Sequence, residues 1–119
     1  MARPVYSKGT VRFFDAAIEQ AYKSTCKKRH GAVIVKGGSI ISTGYNKHRN
    51  RAELIDVEDL PNGVTVHAEV DALKKTKNPS GCTIYVVRID RKGHIQMSKP
   101  CYNCWQVLTN SGIERIKYT

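Results

Sequence analysis

The chain has 119 residues, a formal net charge of +10, and 40% hydrophobic residues. This length fits one domain that can bury a core without disulfides, and the composition indicates a globular chain and not a disordered one. No apolar run reaches the length of a signal peptide or a membrane span, so we expect no membrane partner. The positive charge either favours anionic partners, which can be nucleotides or nucleic acid, or is an indifferent surface property.

The first part of the chain predicts a helix and then a hairpin. Apolar residues recur at helical spacing over residues 11–25, which indicates a helix that packs on a core. A β-branched run at residues 31–35 is separated from a second run at residues 39–45 by Gly37-Gly38. Two glycines between two such runs are typical of a two-residue hairpin turn.

Asn46 follows the hairpin, and the loop that comes next extends to Thr65. Asn46 has a simple structural reading as a turn residue at a strand end. Loops of this length in compact domains are often functional or mobile. Arg49 and Arg51, in its basic first part, are either phosphate contacts or ordinary solvated charges.

A second helix is predicted to begin at residues 66–70, Val-His-Ala-Glu-Val, and to end before Asn78-Pro79. We expect Val66, Val70 and Leu73 on its core face, with the histidine and the glutamate toward a cleft.

Residues 82–89 form an almost continuous apolar run, which predicts a central buried strand. Arg88 interrupts this run near its carboxyl end, where ligand clefts of α/β sheets lie. This arginine either binds a phosphate or pairs with an acid in the core.

The third helix is predicted from Cys101 to about Ser111, with Gly112 as its cap and a last strand at residues 113–118. Pro100 suits the start of this helix, and a spacing of three places the sulfurs of Cys101 and Cys104 on one side of its first turn. Two strand–helix–strand crossings then predict parallel strands after the hairpin.

The Cys-x-x-Cys pair has other readings when it is taken alone. It is also typical of a redox pair, and of half a structural zinc site that Cys26, Cys82 or His94 would complete. We expect the two cysteines outside the motif to be reduced and buried, which fits a cytoplasmic location.

A His-x-Glu followed at a distance by Pro-Cys-x-x-Cys is the signature of zinc-dependent nucleobase deaminases. On residues 67–69, residues 100–104 and the hairpin at 31–46, the chain resembles the cytidine/deoxycytidylate deaminase superfamily, most closely its small deoxycytidylate-deaminase-like phage and microbial members. The resemblance implies an α/β fold of three layers, α-β-α, with an antiparallel hairpin and then parallel strands in a mixed sheet. The family usually continues past the last predicted strand, so we expect a C-terminally short domain whose open sheet edge favours a homo-oligomer.

The resemblance also assigns roles to single residues. One Zn2+ per chain is held by His67, Cys101 and Cys104, which leaves a fourth position for a water whose pKa the metal lowers. Glu69 is the proton carrier of the reaction. The substrate contacts that we expect are Asn46, Ala68, Arg49 and Arg88.

The function that we expect is hydrolytic deamination of cytosine to uracil with release of ammonia, on a free nucleotide such as deoxycytidylate (dCMP). One alternative is a deaminase that acts on cytosine or adenine in single-stranded DNA or tRNA. A second alternative is a non-catalytic, zinc-stabilised module that binds nucleic acid. The zinc ligands suit cytosine and adenine deaminases alike, so they do not name the base.

Overall fold

A computed structural model describes residues 8–48 and 65–119. Arg49 and Arg51 lie outside these residues. The helices are α1 (Lys8–Tyr22), α2 (Ala68–Lys74) and α3 (Tyr102–Asn110). The strands are β1 (Arg29–Lys36), β2 (Ser39–Tyr45), β3 (Lys47–His48), β4 (Thr65–Val66), β5 (Thr83–Ile89), β6 (Ile95–Gln96) and β7 (Arg115–Tyr118). None of these helices is long and apolar enough to cross a bilayer.

The main sheet has β5 at its centre. β1 pairs antiparallel with β2 on one side and with β5 on the other. The free edge of β5 is shared, because β7 pairs with Thr83–Val86 in parallel and β6 pairs with Arg88 and Ile89 in antiparallel fashion. The sheet is therefore mixed, and its parallel pairing after the hairpin is confined to β5 and β7. β3 and β4 form a separate two-stranded ribbon.

The helices cover both faces of the sheet. Residues of α1, including Phe14 and Ala17, share one buried cluster with Val33 and Val87. Residues of α2 and α3 share a second cluster with Ala32, Ile34, Ile84 and Val86, whose side chains alternate with the first set along the strands. This arrangement confirms the predicted three-layer α-β-α architecture.

Glycines allow the helices to approach the sheet closely. A Cβ on Gly44 would lie 2.5 Å from the Ala68 carbonyl oxygen and 2.5 Å from the Ala72 nitrogen. A Cβ on Gly31 would overlap the backbone of α1 in the same way on the other face. The helices therefore contact the strands backbone to backbone at these two glycines. A side chain at either position would block the contact.

This close approach corrects the predicted core face of α2. Ala68 and Ala72 are fully buried in the cluster, whereas Val66 and Val70 are only half-buried and Leu73 packs at the margin. Small residues take the core positions because α2 lies directly against Gly44. The helix also begins at Ala68, so His67 is its N-cap.

The sequence did not predict β6. Asp90 accepts hydrogen bonds from the backbone N–H groups of Lys92 and His94, and Gly93 adopts a φ of 86°. These features fold residues 90–94 into a tight turn that returns the chain to β5. Ser98, just beyond β6, is buried and donates to the Val86 carbonyl 2.8 Å away. The segment that precedes Pro100 is thereby fixed to the central strand.

Candidate metal and catalytic site

The N-terminal ends of α2 and α3 lie side by side on one face of the sheet. His67 caps α2 with an extended backbone, and Cys101 caps α3 with its Sγ accepting from the Cys104 N–H at 3.5 Å. Proline at position 100 and a cap at position 101 turn the chain so that the first turn of α3 presents both sulfurs together. Two elements distant in sequence thus bring a histidine and two cysteines to one place.

The three side chains form a group that fits a metal ion. Their donor atoms all lie within 4.8 Å of one another, and Nδ1 of His67 is 3.0 Å from Sγ of Cys104. One imidazole nitrogen and two sulfurs are a donor set that zinc accepts in catalytic sites, where three protein ligands leave one position open. Cys101 is exposed, so solvent reaches the site from its side.

The alternatives that need a fourth ligand find no support here. Across residues 8–48 and 65–119, neither Cys26, Cys82 nor His94 belongs to this group. Cys82 is buried in the core instead, where its sulfur lies 3.7 Å from the Asn78 carbonyl oxygen. Cys82, Cys101 and Cys104 carry free thiols. Among the described residues the donor set therefore has three members, as in the open form of a catalytic zinc site, and not the four of a structural one.

Glu69 lies beside the donor set without joining it. Its side chain is only 4% exposed, and burial raises the pKa of its carboxyl group. Its own backbone N–H, the nearby His67 and a hydrogen bond with Cys104 act in the opposite direction. A buried carboxyl group next to a metal centre is suited to exchange protons with a reactant in the cleft.

Burial also raises the pKa of the Cys104 thiol, and the neighbouring Glu69 and Cys101 add to this effect. Without a metal ion the thiol therefore keeps its proton. A metal ion that binds here has to displace that proton, because the thiolate is the form that coordinates.

Comparison with known proteins decides the family. The model of the cytidine and deoxycytidylate deaminase zinc-binding region matches residues 8–119. The chain belongs to the cytidine and deoxycytidylate deaminase family. The predicted family, its hydrolytic deaminase class and its zinc cofactor are thereby confirmed.

A curated relative of this deaminase is the deoxycytidylate deaminase of Mycobacterium phage D29, which is 31% identical over 99% of this chain and 97% of its own. The dCMP deaminase of cyanophage S-TIM5, solved in complex with dCMP and dUMP, superimposes with a TM-score of 0.72 at 21% identity over 97% of this chain and 83% of that one. The guanine deaminase of Bacillus subtilis has the same fold, with a TM-score of 0.59 at 22% identity over 96% of this chain and 64% of its own. The fold therefore accommodates different bases.

The predicted substrate contacts fall in different places. Both ends of the Asn46 amide are hydrogen-bonded to backbone groups of residues 28–30. Ala68 is the first residue of α2 and is fully buried. Arg88 lies on the face of the sheet that α2 and α3 cover, directly opposite His30. Arg49 lies outside the described residues.

The sequence reasoning missed His30. It directly precedes the predicted strand at residues 31–35, and strand alternation places it on the same face as Ala32 and Ile34. Extending the predicted strand by one residue, to position 30, would have placed the imidazole on the same face as Ala32 and Ile34.

Replacing Cys104 by serine is expected to remove most of the bound zinc, because a hydroxyl group does not replace a buried thiolate ligand. Zinc per chain, measured by mass spectrometry after dialysis against a weak chelator, tests this prediction. Cys26→Ser is the matched control and keeps the metal content of the parent protein. Equal zinc loss in both variants would indicate a four-ligand structural site.

Proposed function

We propose that this protein hydrolyses the exocyclic amino group of cytosine in a free deoxynucleotide, dCMP, to give dUMP and ammonia. The observation that carries the proposal is the buried Glu69 beside the open His67, Cys101 and Cys104 donor set. The relative with 31% identity, a deoxycytidylate deaminase, supports the choice of substrate. The net charge of +10 also favours an anionic substrate over a neutral nucleoside.

The chemistry follows from the types of residue in the site. A zinc ion supplies Lewis acidity that lowers the pKa of water toward neutrality. Glu69 accepts the proton that the attacking water loses and delivers it to the ring nitrogen beside the reacting carbon. A second proton transfer through Glu69 lets the amino group leave as ammonia while the carbonyl of uracil forms. One C–O bond replaces one C–N bond, with no oxidant or reductant.

Arg88 is the described residue that we assign to the substrate phosphate. Its Nε is buried and has no hydrogen-bond partner among residues 8–48 and 65–119. The ion pairs found in those segments involve Asp71 and Asp90 and leave Arg88 out. A guanidinium group with a buried donor that no described residue satisfies is suited to hold a phosphate.

Arg88→Gln is expected to lower the ratio of kcat/KM for dCMP to kcat/KM for deoxycytidine by roughly 10- to 100-fold, because a charge-assisted hydrogen bond is lost only with the phosphate. Steady-state kinetics on both substrates measure this ratio. Arg91→Gln, at an exposed turn position, is the control and keeps the parent ratio. An unchanged ratio in Arg88→Gln would assign the phosphate to other residues.

A substrate panel tests the function itself. Zinc-loaded protein is incubated with dCMP, cytidylate, deoxycytidine, guanine, single-stranded DNA and tRNA, and the products are identified by mass spectrometry. We expect dUMP from dCMP, the product of a cytoplasmic enzyme that acts on the nucleotide pool. The free thiols of Cys82, Cys101 and Cys104 fit such a reducing compartment. Turnover of a polymer alone would establish a nucleic-acid deaminase, and binding without turnover would establish a binding module.

A further inference from the structure

His30 and Arg88 form a pair on the face of the sheet that α2 and α3 cover. They lie directly opposite each other in the antiparallel ladder of β1 and β5. The next residues on the same face, Ala32 and Val86, pack beneath α2 and α3. Burial is the main cause that lowers the pKa of His30, and the nearby Arg88 and His67 add to this lowering, so the imidazole lies near the metal ligand as well as near the arginine.

Asn46 is bonded to the segment that carries His30. Its Oδ1 accepts from the His30 backbone N–H at 2.8 Å, and its Nδ2 donates to the Lys28 carbonyl at 2.6 Å. Its own backbone N–H donates to the His30 carbonyl at 3.2 Å. Three bonds thus hold one asparagine against residues 28–30. The amide is used to fix the start of β1.

The imidazole of His30 has one ring nitrogen that can accept a hydrogen bond. Burial lowers the pKa of His30 to about 4, so the ring is neutral at physiological pH. A hydrogen bond to the Lys28 carbonyl occupies one ring nitrogen as a donor. In a neutral imidazole the other nitrogen then carries a lone pair and accepts.

We propose that His30 is a substrate-binding residue that accepts a hydrogen bond from the 3′-hydroxyl of the nucleotide sugar, and that Asn46 is the positioning residue that holds it. This inference rests on the proposed function. The 3′-hydroxyl and the 5′-phosphate are carried by one sugar ring, and His30 and Arg88 present an acceptor and a cation side by side. A deoxynucleoside monophosphate matches both groups at once.

The test compares dCMP with 2′,3′-dideoxycytidine 5′-monophosphate, which lacks only the hydroxyl. The zinc-loaded parent enzyme is expected to prefer dCMP in kcat/KM by on the order of tenfold, the value of one hydrogen bond lost in a half-buried site. His30→Ala is expected to lose this preference while it retains its zinc. His30→Gln, which keeps an acceptor, is expected to restore part of the preference; a purely structural role would not change discrimination between these two substrates.

The double variant separates the two residues. If Asn46 acts through His30, Asn46→Ala lowers the preference in the parent enzyme but has no further effect in the His30→Ala background. A full preference retained in His30→Ala would overturn the assignment of His30. An additional equal loss from Asn46→Ala in that background would show that Asn46 contacts the substrate itself.

Binding measurements keep this test distinct from that of the proposed function. If the parent enzyme deaminates neither nucleotide, the proposed reaction fails, and calorimetric titration of both nucleotides into the zinc-loaded protein then decides on His30. Tighter binding of dCMP that disappears in His30→Ala would support the hydroxyl contact. Equal affinities, or no binding of either nucleotide, would overturn it.

Discussion

Glu69→Gln is expected to lower kcat on dCMP by on the order of a thousandfold, because glutamine has the shape of glutamate but transfers no proton. The effect is large because Glu69 is the one carboxyl group, within the described residues, that is buried beside the metal ligands. In the proposed reaction each turnover needs Glu69 twice, once as base and once as acid. Single-turnover kinetics with zinc-loaded protein measure the loss.

Zinc content and substrate affinity provide the control for this variant. Glu69 is not a member of the donor group, so Glu69→Gln is expected to hold as much zinc as the parent protein. It is also expected to bind dCMP, since the phosphate and sugar contacts are unchanged. A rate close to that of the parent enzyme would remove Glu69 from the reaction and require another proton carrier in the cleft.

Gly44→Ala is expected to destabilise the fold by about 3 kcal/mol or more, beyond the usual cost of overpacking, because the clash is with backbone. The new Cβ would lie 2.5 Å from the Ala68 carbonyl oxygen and 2.5 Å from the Ala72 nitrogen, so no side-chain rotation relieves it. The start of α2, which carries His67 and Glu69, would have to move away from the sheet. We therefore expect a fall in Tm of roughly 10 °C together with lower zinc affinity.

Gly9→Ala is the matched control for this substitution. Gly9 lies in α1, and a Cβ there meets no atom within 4 Å. Alanine at such a helical position is expected to stabilise the protein by roughly 0.4–1 kcal/mol through reduced freedom of the unfolded chain. Thermal unfolding followed by circular dichroism compares both variants with the parent. An unchanged Tm in Gly44→Ala would show that α2 shifts at little cost.

Local patterns in the sequence determined most of the architecture. The alternating and continuous apolar runs predicted β1, β2 and β5, since the side chains of a strand alternate between faces. The glycine pair at positions 37 and 38 predicted the turn, and both residues do adopt positive φ. The residue types of the two motifs predicted a zinc centre because few other groupings of His, Glu and Cys have this order.

Tertiary structure decided the features that depend on which surfaces meet. The core face of α2 is formed by Ala68 and Ala72, because the bare backbone of Gly44 lets the helix approach so closely. Helical periodicity alone predicted the larger Val66 and Val70 for this core face. β6 also forms only because the Asp90 turn returns the chain to the free edge of β5.

The residues of the site also divide into those predicted from the sequence and those found only in the folded chain. Residue types and their order along the chain were enough to predict the metal donors and the proton carrier. It left two readings for Asn46 and two for Arg88, and it did not identify His30. Those roles depend on the register of β1 against β5, which places His30 opposite Arg88. Register is a property of paired strands, so the folded sheet was needed to show which polar side chains lie next to each other on this face.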